Sequence, residues 1–194
     1  MENRTAKIER KTTETDIIVK MNLDGQGKYD IDTGVGFLDH MLAHLSKHSR
    51  IDLTVKAKGD LEVDAHHTVE DVGIAIGNCL CEAISDKAGI ARYGSSSVPM
   101  EDTLANVSLD LSGRAFCVYN ADYQTEKIGD FDVECIEEFL RSLSNFGKFN
   151  LHVNVPYGSN SHHIAEAIFK AFGQAVAAAI KITGTEVPST KGVL

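Results

Sequence analysis

The chain has 194 residues, 43% hydrophobic and 24% charged, so it can bury one sizeable core and is neither disordered nor collagen-like. Acidic residues outnumber basic ones 28 to 19, a formal charge of −9, which argues against general nucleic-acid binding because that depends on neutralising phosphates. No apolar run approaches the ~20 residues that span a bilayer, and Met1–Lys11 is charged rather than signal-like. The expectation is a cytoplasmic protein with no membrane or nucleic-acid partner, able to hold a small anion with a few local cations. Cys79, Cys81, Cys117 and Cys135 lack CxxC spacing and are expected to be reduced and mostly buried.

In chain order, Ile8 to Leu23 alternates at Ile17, Val19, Met21 and Leu23 and ends at Asp24-Gly25, which predicts strands closed by a turn. Phe37 to Lys47 carries Phe37, Leu38, Met41, Leu42 and Leu45 at helical spacing. Asp52 to Lys58 alternates as a strand, and Thr68 to Ala88 reads as a helix with Val69, Val72, Ile76, Leu80 and Ala83 on one face. Arg92 to Met100 reads as a join. Beyond it come strands near Ala105 to Tyr119, a helix Val133 to Ser144, a strand Asn150 to Val155 and a helix His162 to Ile182. Val187 to Leu194 is either a frayed end or a ligand-binding segment.

The second half repeats the first. Asp64-Ala-His66-His67-Thr-Val-Glu70 returns half a chain later as Asn160-Ser-His162-His163-Ile-Ala-Glu166, each opening an apolar-periodic run. Leu42-Ala-His-Leu-Ser46 matches Leu140-Arg-Ser-Leu-Ser144, and Ile17 to Gly25 resembles Ala105 to Gly113. The expected fold is therefore α+β: a tandem duplication of a two-layer unit, a mixed or antiparallel sheet plus two helices per half. The halves, 1–93 and 94–194, pack together as one catalytic domain, with helices between or against the sheets.

The eight histidines fall mostly into three groups: His66-His67, His162-His163, and His40 with His44 and His48. On a helix His66 and Glu70 share a face, while His67 lies about 100° round from His66. Adjacent histidines on one helix suit two different ions rather than one. The duplicated motif thus predicts two pseudo-equivalent metal sites, each taking His and Glu from one motif and the second His from the other. Aligning the halves sets His40 opposite Glu138, and imidazole and carboxylate are both ligands. The candidate metal set is His40, His66, His67, Glu70, Glu138, His162, His163 and Glu166. Nitrogen and oxygen donors with positions left open suit an octahedral ion such as Mn²⁺ better than closed tetrahedral Zn²⁺. His44 and His48 either line the site or sit on an exposed helix face, and His152, in a strand, is expected to be structural. The residues alone leave open a dinuclear hydrolase of phosphate esters and a metal-assembled storage shell.

Gly34-Val-Gly-Phe-Leu-Asp-His-Met-Leu42, Asp64-Ala-His-His-Thr-Val-Glu-Asp71, Arg92-Tyr-Gly94, Ser161-His-His-Ile-Ala-Glu-Ala-Ile-Phe-Lys170 and Pro188-Ser-Thr-Lys-Gly-Val-Leu194 occur in order. In these motifs the chain resembles the monofunctional imidazoleglycerol-phosphate dehydratases of histidine biosynthesis. The resemblance implies dehydration of imidazoleglycerol phosphate to imidazole-acetol phosphate through a metal-bound imidazolate. It also implies two Mn²⁺ per active site and a homo-oligomeric shell of 24 subunits with active sites between subunits. The eight metal-ligand candidates match the family's ligand positions, although most members carry His where this chain has Glu138, a change that adds negative charge. Glu14, Arg92, Arg114, Lys170, Ser189, Thr190 and Lys191 match substrate-contacting positions, beside the histidines and carboxylates of the metal set. Glu14 is the candidate acid/base, with Glu70, Glu166 or a metal-bound water as alternatives. Arg92, Arg114 and Lys191 are expected to hold the phosphate.

Overall fold

The computed structural model describes residues 4–194; the first three residues of the charged N-terminal stretch lie outside them. The first half runs β1 (Thr5–Lys11), β2 (Thr15–Asn22), β3 (Tyr29–Asp32), α1 (Gly36–Ser49), β4 (Asp52–Gly59) and α2 (His66–Ile84). The second runs β5 (Tyr93–Met100), β6 (Thr103–Asp110), β7 (Phe116–Asn120), a short ribbon of β8 (Lys127–Ile128) and β9 (Phe131–Asp132), α3 (Glu134–Gly147), β10 (Asn150–Tyr157) and α4 (Ser161–Ala179). The main sheets have strand orders β1-β2-β4-β3 and β5-β6-β10-β7. In each, two antiparallel pairings are followed by one parallel pairing at the edge, β3 on β4 and β7 on β10. The duplication read from the sequence is therefore also a duplication of topology.

Alternation places Ile17, Val19 and Met21 of β2 and Leu53 and Val55 of β4 on the inner face. Ala105, Val107 and Leu109 of β6 and Leu151 and Val153 of β10 do the same in the second sheet. α2 lies on the first sheet and packs against α3; α4 lies on the second and packs against α1. Inner strand residues and helix residues of both halves, Phe139, Phe169 and Phe172 among them, form one continuous core. Glycine permits the closest helix contact: a Cβ on Gly77 of α2 would stand 2.6 Å from the Leu143 carbonyl oxygen and 2.8 Å from the Gly147 nitrogen of α3.

Several boundaries differ from the sequence reading. α2 stops at Ile84, short of Ala88, because Ser85 and Lys87 turn the chain through positive φ, 60° and 64°. α4 stops at Ala179, and Ile182 leaves it to bridge Ile90. The expected join is a strand: Tyr93–Met100 pairs with β6 along its whole length. Its Gly94 is pressed against α4, where an added Cβ would overlap the Ala175 carbonyl oxygen. The four cysteines are free; Cys79 and Cys135 are buried, Cys81 and Cys117 half-buried. Burial pushes the Cys79 thiol up to about 12. No helix among the described residues is long and apolar enough to cross a membrane.

Candidate metal centre and active site

Both HHxxE motifs open long helices whose first N–H groups are capped. The Asn160 side chain accepts from the backbone N–H of His162 and His163, and Asp64 accepts from that of His66. In the first turn the two histidines of each pair diverge. His162 and Glu166, one turn apart on α4, come within 3.1 Å, and His40 of α1 reaches the same carboxylate at 3.4 Å. The ligand atoms of His40, His162 and Glu166 all lie within 4.8 Å of one another. A second triad, His66 and Glu70 of α2 with Glu138 of α3, meets the same limit. Each triad joins one residue from a short helix of one half to a His/Glu pair from the other half.

His67 and His163 do not join either triad within one chain. Asp60 holds His67 Nδ1 at 3.0 Å and Asp102 holds His163 Nδ1 at 2.7 Å. A carboxylate on Nδ1 fixes the ring and leaves Nε2 as the nitrogen with an uncommitted position. Asp102 also accepts from the backbone N–H groups of Ser159 and Asn160 and from the Ser159 hydroxyl, and these contacts hold its carboxyl well below the usual range. Neither aspartate belongs to a motif, so the sequence reading missed both. The available signal was positional: Asp102 is the residue before β6, as Glu14 is the residue before β2.

Around the His40 triad, His44 Nε2 lies 3.5 Å from Glu166 and 3.3 Å from His40 Nε2, with the His48 ring stacked behind it at 5.9 Å. His44 and His48 are thus site-lining and half-buried rather than an open helix face. Burial lowers the His44 imidazole to about 4, against the raising influence of Glu166, and also lowers that of His48. Lys170 Nζ approaches Glu166 to 2.5 Å. Burial raises the Glu166 carboxyl, but hydrogen bonding and charge from Lys170, His44 and His162 outweigh it and hold the group at about 2. Phe37 packs edge-on against the His162 ring at 5.3 Å, and His40 borders an open pocket of about 720 Å³ reaching the β8–β9 ribbon.

Glu14 sits at the exposed β1–β2 tip, 3.9 Å from His67 Nδ1. The predicted anion holders gather elsewhere: Arg92, Arg114, Ser189, Thr190 and Lys191 line an open pocket of about 600 Å³ that contains no triad residue. Arg92 does not present a free fork in this chain. Its Nε and Nη2 pair with Asp110 at 2.7 and 3.2 Å, and its Nη1 donates to the Pro188 carbonyl at 2.9 Å. That bond ties down the tail segment, which is not frayed at this point. His152 is exposed on the outer face of β10, 6.4 Å from the Phe116 ring. One chain therefore assembles two His/Glu triads that could each hold a cation and an arginine-lined pocket, and leaves His67 and His163 oriented but outside both triads.

The family model described as imidazoleglycerol-phosphate dehydratase matches residues 33–176. A protein of that name from Clostridium acetobutylicum is 56% identical over 195 residues, covering 98% of each chain. Another, from Exiguobacterium, is 56% identical over 190 residues and 97% of each chain. Among solved structures, imidazoleglycerol-phosphate dehydratase from Staphylococcus aureus superposes with a TM-score of 0.84 at 40% identity, over 92% of this chain and 99% of its own. The Pyrococcus furiosus structure gives 0.84 at 35% identity, over 96% and 100%.

Proposed function

The chain belongs to the imidazoleglycerol-phosphate dehydratase family of hydro-lyases, and from that premise we propose a manganese-dependent dehydration of imidazoleglycerol phosphate to imidazole-acetol phosphate. The observation that carries the manganese reading is the pair of triads exchanged between the halves. Their donor chemistry fits the ion: imidazole nitrogens and carboxylate oxygens converge, no thiolate takes part, and three protein ligands leave room for others. His40, His162 and Glu166 would hold one ion and His66, Glu70 and Glu138 the other, with His67 and His163 as further ligands.

Held by these residues, such ions would supply Lewis-acid stabilisation of negative charge on the substrate's imidazole, which favours departure of the neighbouring hydroxyl. The rest falls to the chain. The departing hydroxyl needs a proton, and the adjacent carbon, which no carbonyl acidifies, must lose one. Glu14 suits both transfers: it sits beside the His67 ring, and among the described residues its carboxylate accepts no close hydrogen bond. Glu70 and Glu166 are committed to the triads, which favours Glu14 among the three candidates. Arg114 and Lys191, exposed beside the tail segment, supply cations for the phosphate, with Ser189 and Thr190 as hydroxyl donors and Lys170 as a cation nearer the His40 triad.

The arginine-lined pocket and the triads are separate within one chain, and His67 and His163, held at Nδ1 by Asp60 and Asp102, belong to neither triad. Both facts support active sites completed by neighbouring copies in a homo-oligomer, for which the family resemblance implies a 24-subunit shell working in the cytoplasm. The test is an assay of metal-stripped protein on imidazoleglycerol phosphate with and without Mn²⁺, following imidazole-acetol phosphate. Product only with the ion is the expected result. Product without added metal overturns the manganese reading, and release of inorganic phosphate instead would put a phosphate-ester hydrolase in its place.

A further inference from the structure

The two triads occupy equivalent places in the duplication but are chemically unequal, and we infer that they load in order: His66/Glu70/Glu138 takes a divalent cation first and more tightly, and His40/His162/Glu166 second. The inference rests on the manganese reading above and goes beyond it by separating the two centres.

The first observation is the donor set. The α2–α3 triad offers one imidazole and two carboxylates; the α1–α4 triad offers two imidazoles and one carboxylate. The difference is one position, Glu138 against His40. A carboxylate supplies a full negative charge and a hard oxygen, and affinity for hard divalent ions rises with the number of such ligands. The second observation is independent of the first. Lys170 lies against Glu166 at 2.5 Å, so the single carboxylate of the α1–α4 triad is already neutralised by an ammonium. The equivalent place on α2, one turn beyond Glu70, holds the buried Ile74, which brings no charge. Among the described residues Glu70 and Glu138 form no ion pair; Glu138 receives only the Ser142 hydroxyl at 3.5 Å. A cation entering the α2–α3 triad meets two uncompensated carboxylates. One entering the α1–α4 triad must displace or tolerate Lys170.

The experiment is a Mn²⁺ titration of metal-stripped full-length protein, with the free ion followed by electron paramagnetic resonance. The expected curve has two classes of equal number with dissociation constants about tenfold or more apart. Glu138→His should merge them by weakening the tight class. Lys170→Gln should also narrow the gap, by tightening the weak class alone, and as it leaves every triad donor in place it guards against a folding artefact in the first variant. A single class in the unaltered protein, or an unchanged gap in both variants, overturns the inference while leaving manganese binding intact. No binding at all overturns the manganese reading itself.

Discussion

The tips of the β1–β2 and β5–β6 hairpins stand at the same place in the two halves, each with a carboxylate next to an HHxxE histidine, and they use that carboxylate differently. Asp102 is tied by four contacts to Ser159, Asn160 and His163. Glu14 is half-exposed and touches its histidine only at 3.9 Å, because in the first half Asp60 has taken over the Nδ1 atom of His67. One copy of the position is a fixed support and the other is left, among the described residues, without a close hydrogen-bond partner for its carboxylate. His40 against Glu138 is a second such split. Asp52 against Asn150 is a third: Asp52 accepts from the backbone N–H groups of Gln26 and Lys28, whereas Asn150 donates to the Arg114 carbonyl. Duplication here preserves the scaffold and divides the chemistry.

Breaking the free copy has the largest expected effect. Glu14→Gln should lower kcat by about 10²–10⁴-fold while leaving Mn²⁺ binding and the melting temperature unchanged; steady-state kinetics beside a metal titration decide it. Breaking the fixed copy should do the opposite. Asp102→Ala frees the His163 ring and should weaken Mn²⁺ binding by about 10–100-fold, with the activity loss partly recovered at high Mn²⁺. If Asp102→Ala lost activity and kept its metal affinity, the two tips would share one role. Between the halves, Gly77→Ala pushes a methyl into the α3 backbone and should cost about 1–3 kcal/mol, read as a lower urea midpoint. The smallest effect is the pH dependence of Asp52. Its backbone donors hold the carboxyl below its ordinary 3.8, so the folded state binds that proton less readily than the unfolded one. The contribution is present above that value and fades as pH falls below it. Asp52→Asn should therefore lower the melting temperature at neutral pH and lose that deficit in acid, while a change at Asn150 should show no such trend.

The periodic elements were legible in the sequence because burial writes itself into spacing: Ile17, Val19 and Met21 in β2, or the apolar face of α2. The metal candidates were legible because the motif occurs twice. What escaped depends on close approach across the fold. β3, Tyr-Asp-Ile-Asp, is a mostly exposed parallel edge strand with little apolar content to reveal it. β5 contains Gly-Ser-Ser-Ser and reads as a linker, yet its glycine is what lets it lie against α4. Asp60 and Asp102 are lone carboxylates whose meaning appears only when a loop carries them to a histidine. Arg92 was readable as a phosphate fork by residue type, but Asp110 and the tail carbonyl already occupy its donors in the single chain.

The exchange of triad residues between halves bears on how the pair of triads arose. Each triad takes one residue from one half and two from the other, so neither half on its own carries a complete triad. Two copies of an undoubled ancestor, paired as the halves are paired here, would have carried both. Fusion would then have brought two identical triads shared between chains into a single chain, and freed each to change alone.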